Sequence, residues 1–139
     1  MPAGPVLVDT DVFSYVHYQK DRWQDFEVLL LGHPLALSFA CVGELRAGAI
    51  KSNWGVPRQS AQQRFMSTYT IIRPTTAVVD EYAILHASLH DKLSRGGVND
   101  MWTAACALAY GLPVATNNLS DFLSIGAVAS DLKVIHPDL

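Results

Sequence analysis

Apolar and polar positions change period repeatedly along the chain, and each change marks an element. Val6, Leu7 and Val8 form a short apolar run led by Pro5 and closed by Asp9-Thr10-Asp11. A continuous apolar run of that length, ended by turn-formers, suits a strand buried on both faces of a parallel sheet. A helix is predicted over 12–19, capped by Thr10 or Asp11. A second begins near Asp21, where Trp23, Phe26, Leu29 and Leu30 recur at helical spacing until Gly32. Residues 35–39 read as the second strand. A helix over 42–51 follows, with Glu44 in its first turn and with Gly43 and Gly48 weakening it. Asn53-Trp54-Gly55 is a break, Pro57 opens a polar helix to Ser67, and 69–72 is a third strand closed by Pro74. The longest helix covers 76–93, with an apolar stripe of Val79, Tyr82, Ala83, Leu85, His86 and Leu89, and Ser94-Arg95-Gly96-Gly97 ends it. Asp100 then sits in the first turn of a helix whose 102–110 run is apolar nearly all round, as in a fully buried helix. Gly111 supplies a left-handed position past its end and Pro113 prevents continuation. A strand over 113–116 leads into Asn117, Asn118, Ser120 and Asp121, then a short helix over 121–125 and a last strand over 133–136.

Strands alternate with helices throughout, without repeats. This predicts an α/β fold, a three-layer sandwich whose mostly parallel five-stranded sheet is flanked by helices. The 139 residues are expected to form a single domain, 1–139, and half of them are apolar, enough for a real core. Apolar runs such as 28–31 are far too short to cross a bilayer, so no membrane partner is expected. With no basic-then-apolar leader, a cytoplasmic protein is expected. Cys41 and Cys106 are expected to be free buried thiols, since their spacing is not a zinc pattern. His17, His33, His86, His90 and His136 share no metal-ligand spacing either. The net charge of −3 provides no basic footprint for a nucleic acid. Carboxylates engaged in holding cations would make the loaded surface less anionic than that figure.

Four acids occupy equivalent places on this plan. Asp9 ends the first strand, Glu44 follows the second, Asp100 starts a helix and Asp121 follows the fourth strand. Right-handed crossovers place strands one and four side by side if the chain winds outward and then returns, and the crevice there collects all four side chains. Converging negative charges repel unless cations sit among them, and hard divalent ions prefer such oxygen ligands. The chemistry implied is phosphodiester hydrolysis assisted by one or two Mg²⁺ or Mn²⁺ ions. Taken singly, Asp100 and Asp121 are more simply helix caps, and Glu44 a partner for a helix dipole. Asp9 is harder to set aside, because an acid ending a buried strand is costly unless something pairs with it.

The run LVDTDVF, Glu44-Leu45 with Gly48 shortly after, Asp100 leading an Ala-rich helix, and Thr116-x-Asn118-x-x-Asp121-Phe122 together resemble the PIN domain. The resemblance runs from the first strand to the last and is nearest to the VapC-type ribonuclease toxins of toxin–antitoxin pairs. It implies that Asp9, Glu44, Asp100 and Asp121 are the metal-site acids of an endoribonuclease, with Thr116 and Asn118 lining the site. It also implies a homodimer and a cognate antitoxin whose tail occupies the active-site groove. Two positions depart from the pattern. Asp11 adds an acid where the family more often has Asn or Ser, and Cys41 replaces a capping Ser or Thr before the glutamate. Candidate RNA contacts are Arg46, Lys51, Arg58, Arg64, Lys92 and Arg95, although the default for the Pro57 helix is a solvated face. Trp23, Trp54 and Trp102 are expected in the core or an interface.

Two other functions compete. A haloacid-dehalogenase-type phosphatase would use Asp9 as nucleophile and Asp11 as acid/base, but it also needs a late lysine and then a closely spaced acidic pair, and although Lys92 precedes Asp100, no second acid follows until Asp121. A non-catalytic regulatory or binding domain could keep the fold without the activity.

Overall fold

The computed structural model describes residues 3–89, 91–93 and 97–139. Strands β1 (Val6–Val8), β2 (Leu35–Ser38), β3 (Thr70–Ile72), β4 (Val114–Ala115) and β5 (Val134–Ile135) form one sheet in the order β3-β2-β1-β4-β5. Every neighbouring pair is parallel, with Leu7 opposite Ala36 on one side and opposite Val114 on the other. The helices are α1 (Thr10–Tyr18), α2 (Trp23–Leu30), α3 (Phe39–Lys51), α4 (Val56–Met66), α5 (Thr76–Leu89), α6 (Gly97–Tyr110) and α7 (Leu119–Val128).

The strands are short and apolar because both faces are covered, and their pleat sorts side chains into two cores. Leu7, Ala36 and Val114 face Val78, Leu85, Met101, Ala104 and Phe122 of α5, α6 and α7. Val6, Val8, Leu37 and Ala115 face Phe13, Phe26, Cys41, Leu45 and Met66 of α1 to α4. The α/β sandwich with five parallel strands is therefore as the alternation of elements implied. Both cysteines are free and buried. Gly32 and Gly111 have φ of 78° and 65°, the left-handed conformation expected just past a helix end.

The structure corrects several details. Asp9, rather than Thr10 or Asp11, caps α1, its carboxylate accepting from the Thr10 amide. The third helix begins at Phe39, not near residue 42, because Ser38 supplies the cap that Cys41 lacks: Ser38 Oγ accepts from the Cys41 amide at 3.1 Å. Glu44 consequently lies in the second turn. On α5 the buried stripe is Val78, Leu85 and Leu89, whereas Val79 is 44% exposed. Packing against α6 decided that phase, which an evenly apolar helix leaves open. The last helix extends to Val128 rather than Ile125. Arg95, His90 and the helix-ending residues Ser94 and Gly96 lie outside the described residues.

Candidate active site

At the β1/β4 boundary the chain reverses its winding direction, and side chains at the carboxyl ends of these strands face a common crevice. Asp9 follows β1 directly and is only 4% exposed. Its two oxygens are held separately. The Thr10 amide donates to Oδ1 at 2.9 Å and the Thr116 hydroxyl to Oδ2 at 2.7 Å. Cys41 Sγ approaches Oδ1 at 3.8 Å. Thr116, fully buried after β4, also accepts from the Asn118 amide at 3.0 Å. Asn118 in turn bridges two acids from different helices, donating through Nδ2 to Asp100 at 2.8 Å and to Asp121 at 3.1 Å. Glu44 reaches the same cluster from α3, where the Thr10 hydroxyl donates to it at 3.0 Å. Asp11 has a structural assignment of its own. It accepts from the Val12 amide at 2.7 Å and from the Asn117 amide at 3.2 Å, tying the start of α1 to the loop after β4.

Electrostatics record the crowding. Burial, then the charge of Asp11, pushes Asp9 up to about 7 despite its hydrogen bonds. Burial also pushes Asp100 up to about 8, helped by the charge of Asp9, by a hydrogen bond with Asp121 and by the charges of Asp121 and Glu44. Two carboxyl groups can share a hydrogen bond only if one holds a proton, which accords with the upward direction at Asp100. Glu44 is raised by burial, although Thr10 and Asn99 lower it through hydrogen bonds. Asp11 is raised by burial too, against the hydrogen bond of the Asn117 backbone. None of the ion pairs between described residues involves Asp9, Asp11, Glu44 or Asp100. Among the described residues, no group of three or more His, Cys, Asp or Glu side chains stands ready to hold a metal ion. The physical reason is visible in the contacts. Thr10, Thr116 and Asn118 already donate hydrogen bonds to these carboxylates. The donor chemistry nonetheless fits a hard divalent ion: all-oxygen, desolvated, and neutralised by protons that a cation would displace.

Two clefts meet at Glu44. The larger, about 550 Å³, is bordered by Phe39, Glu44, Lys51, Asn99 and Trp102. The smaller, about 230 Å³, is bordered by Thr10, Tyr18, Lys20, Glu44, Trp54 and Gln62. Of the basic residues named from the sequence, Lys51 borders the larger cleft, and the Arg58 guanidinium lies 4.2 Å over the Trp54 ring that borders the smaller. Arg46 lines a different groove between α3 and α4 with Gln63, Arg64 is exposed on α4, and Lys92 is exposed after α5. Sequence reasoning missed Thr10, Asn99 and Lys20. Asn99 could have been found from its place beside Asp100, and Thr10 from its place beside Asp9. Lys20 had no signal, because its position depends on the left-handed turn at Gln19, whose φ is 52°.

Comparison with known proteins decides the lineage. A family model described as the PIN domain matches residues 6–127. The chain belongs to the PIN domain family. This PIN domain is 28% identical over 144 residues to the ribonuclease VapC4 of Mycobacterium tuberculosis, covering 97% of this chain and 98% of that protein. It is 27% identical over 121 residues to the ribonuclease VapC2 of Rickettsia felis, covering 86% of this chain and 90% of that protein. Its fold matches the crystal structure of VapBC2 from Rickettsia felis bound to a DNA fragment from their promoter. There the TM-score is 0.76 at 25% identity, over 94% of this chain and 97% of that one. The resemblance to VapC-type toxins that the sequence motifs carried is thereby borne out.

Proposed function

We propose that this PIN domain, a single unit over 1–139, is a divalent-cation-dependent endoribonuclease and the toxin of a VapC-type toxin–antitoxin pair. The observation carrying this reading is the convergence of Asp9, Glu44, Asp100 and Asp121 from four elements onto one crevice, where burial and mutual repulsion raise Asp9 and Asp100 to about 7 and about 8. The named relatives, both ribonucleases, support it. Asp9, Asp100 and Asp121, with Glu44 opposite, would hold one or two Mg²⁺ or Mn²⁺ ions. When bound, such an ion supplies Lewis acidity, a hydroxide-generating water and charge neutralisation at the scissile phosphate. The protein's own contribution is orientation. Thr116 and the Thr10 amide fix the Asp9 carboxylate, Asn118 aligns Asp100 with Asp121, and Thr10 and Asn99 hold Glu44. Asp11, held by Asn117, braces the loop that carries Asn118.

The partners follow from the same reading: RNA as substrate, an antitoxin protein, and a second copy of the chain. The VapBC2 complex named above supports the antitoxin. No helix among the described residues is long and apolar enough to cross a membrane. A cytoplasmic location accords with the proposed RNA substrate.

The test is cleavage of single-stranded RNA in Mn²⁺ by wild type, Asp9→Asn and Asp100→Asn, each checked for folding by circular dichroism. Each change removes a carboxylate charge with almost no change in volume. A fall in rate of about a hundredfold or more is expected. A folded variant that cleaves at the wild-type rate removes that residue from the mechanism. Release of phosphate from an aryl phosphate, with RNA untouched, would favour the phosphatase, and silence in both assays a binding domain.

A further inference from the structure

The two clefts meet on α3, and Glu44 and Gly48 border both. Gly48 is not explained by the fold. It lies inside a helix, its φ is not positive, and a Cβ built there would meet nothing within 4 Å. Glycine weakens a helix interior, so neither backbone nor packing accounts for it. What its missing side chain does is keep the ridge between the clefts low.

The smaller cleft has a second unexplained feature. Tyr18, whose ring meets Trp54 edge-on at 5.7 Å, carries a buried hydroxyl with no hydrogen-bond partner among the described residues. A buried polar group left unpaired is costly. Lys20 and Gln62, the latter 4% exposed, line the same cleft, which therefore offers an aromatic wall, a cation and one unsatisfied hydroxyl together. Lys51 borders the larger cleft on the far side of the ridge. Cations on both sides of a saddle, with an aromatic and hydrogen-bonding recess on one, match a polyanionic strand that splays out flat bases.

We propose that the smaller cleft receives one unstacked base of a single-stranded RNA whose backbone crosses α3 over Gly48 and continues past the acids into the larger cleft. This rests on the ribonuclease reading and deepens it: Tyr18, Lys20 and Gln62 read the base edge, Trp54 supplies the stacking wall, and Gly48 gives passage.

Two variants test it, each chosen to leave the fold intact. Tyr18→Phe removes a hydroxyl that bonds nothing, and Gly48→Leu adds a side chain where there is space, so neither melting temperature should fall. Wild type and both variants are given a pool of single-stranded RNA randomised around the cut, in Mn²⁺, and the ends are sequenced. Binding of a fluorescent random RNA 10-mer in EDTA is measured in parallel. Wild type is expected to favour one base at a fixed distance from the cut. Tyr18→Phe should weaken that preference roughly tenfold, and Gly48→Leu should weaken binding in EDTA by a similar factor. An unchanged preference in Tyr18→Phe, or unchanged RNA binding by Gly48→Leu, overturns the proposal. Loss of antitoxin binding by Gly48→Leu with RNA binding intact also overturns it, and makes the saddle a protein-docking groove. Should wild type bind RNA in EDTA but never cut it, the ribonuclease reading fails, while loss of binding in Gly48→Leu still upholds the RNA path.

Discussion

Asp9 shows how one side chain serves both the fold and the proposed chemistry. It caps α1 through Oδ1 while Oδ2 is held by Thr116, so capping a helix does not take it out of the proposed site. The same residues yield a prediction about pH. Asp9 and Asp100 are raised from 3.8 to about 7 and about 8, so the folded state holds protons that the unfolded chain releases near pH 4. Metal-free stability is therefore greatest at and below about pH 4 as far as these groups decide it, and is lost progressively as pH rises towards 8. Melting in EDTA should drop between pH 5 and pH 8.5 by an amount on the order of a few kcal/mol. Mn²⁺ at a hundredfold above its dissociation constant should restore about 2.7 kcal/mol. Asp100→Asn, with one repelling charge fewer, should melt no lower than wild type in EDTA at pH 8.5 and gain less from Mn²⁺. A flat melting profile over that pH range would deny the cluster its mutual repulsion.

At the scale of elements, α3 depends on a residue that the sequence motif did not mark. Cys41 takes the place of the capping hydroxyl, yet Ser38, fully buried at the end of β2, caps the helix three residues earlier and also meets Thr103 Oγ1 at 3.0 Å. Ser38→Ala removes the cap and leaves a buried hydroxyl of α6 with one partner fewer. A loss of about 1–2 kcal/mol is expected, roughly 5 °C in melting temperature. Because α3 carries Glu44, RNA cleavage should fall as well. A melting temperature within a degree of wild type would show that the cap is dispensable. The elements themselves were legible, since buried parallel strands and capped helices leave strong local patterns. Their boundaries were less so: Ser38, which reads as part of a strand, is the cap of α3.

For the whole molecule, the strand order β3-β2-β1-β4-β5 places β1 centrally and makes one crevice serve every acid. It also leaves α5 apolar on two sides. Val78, Leu85 and Leu89 are buried, while Val79, Ala83, Ile84 and Ala87 line an exposed face, Ile84 at 64%. A helix apolar on its solvent side marks a surface awaiting a partner. The chain should be a dimer by light scattering at tens of micromolar, an order-of-magnitude choice of conditions. Ile84→Asp should be a folded monomer. A monomeric wild type, or a dimeric Ile84→Asp, would place the contact elsewhere or remove it.

The order of strands and helices, the parallel sheet, the glycine-ended helices and the candidate acids were legible in the sequence alone. They depend on local periodicity, on turn chemistry, and on the single way a right-handed α/β chain brings its first and fourth strands together. Only the tertiary structure decided which face of α5 is buried. It also showed that Thr116 and Asn118 tie Asp9, Asp100 and Asp121 into one network, and that Tyr18, Lys20, Trp54 and Gly48 meet beside Glu44. Those are contacts between residues far apart in the chain. No local pattern encodes them, because each depends on where the packed layers bring two distant segments to rest.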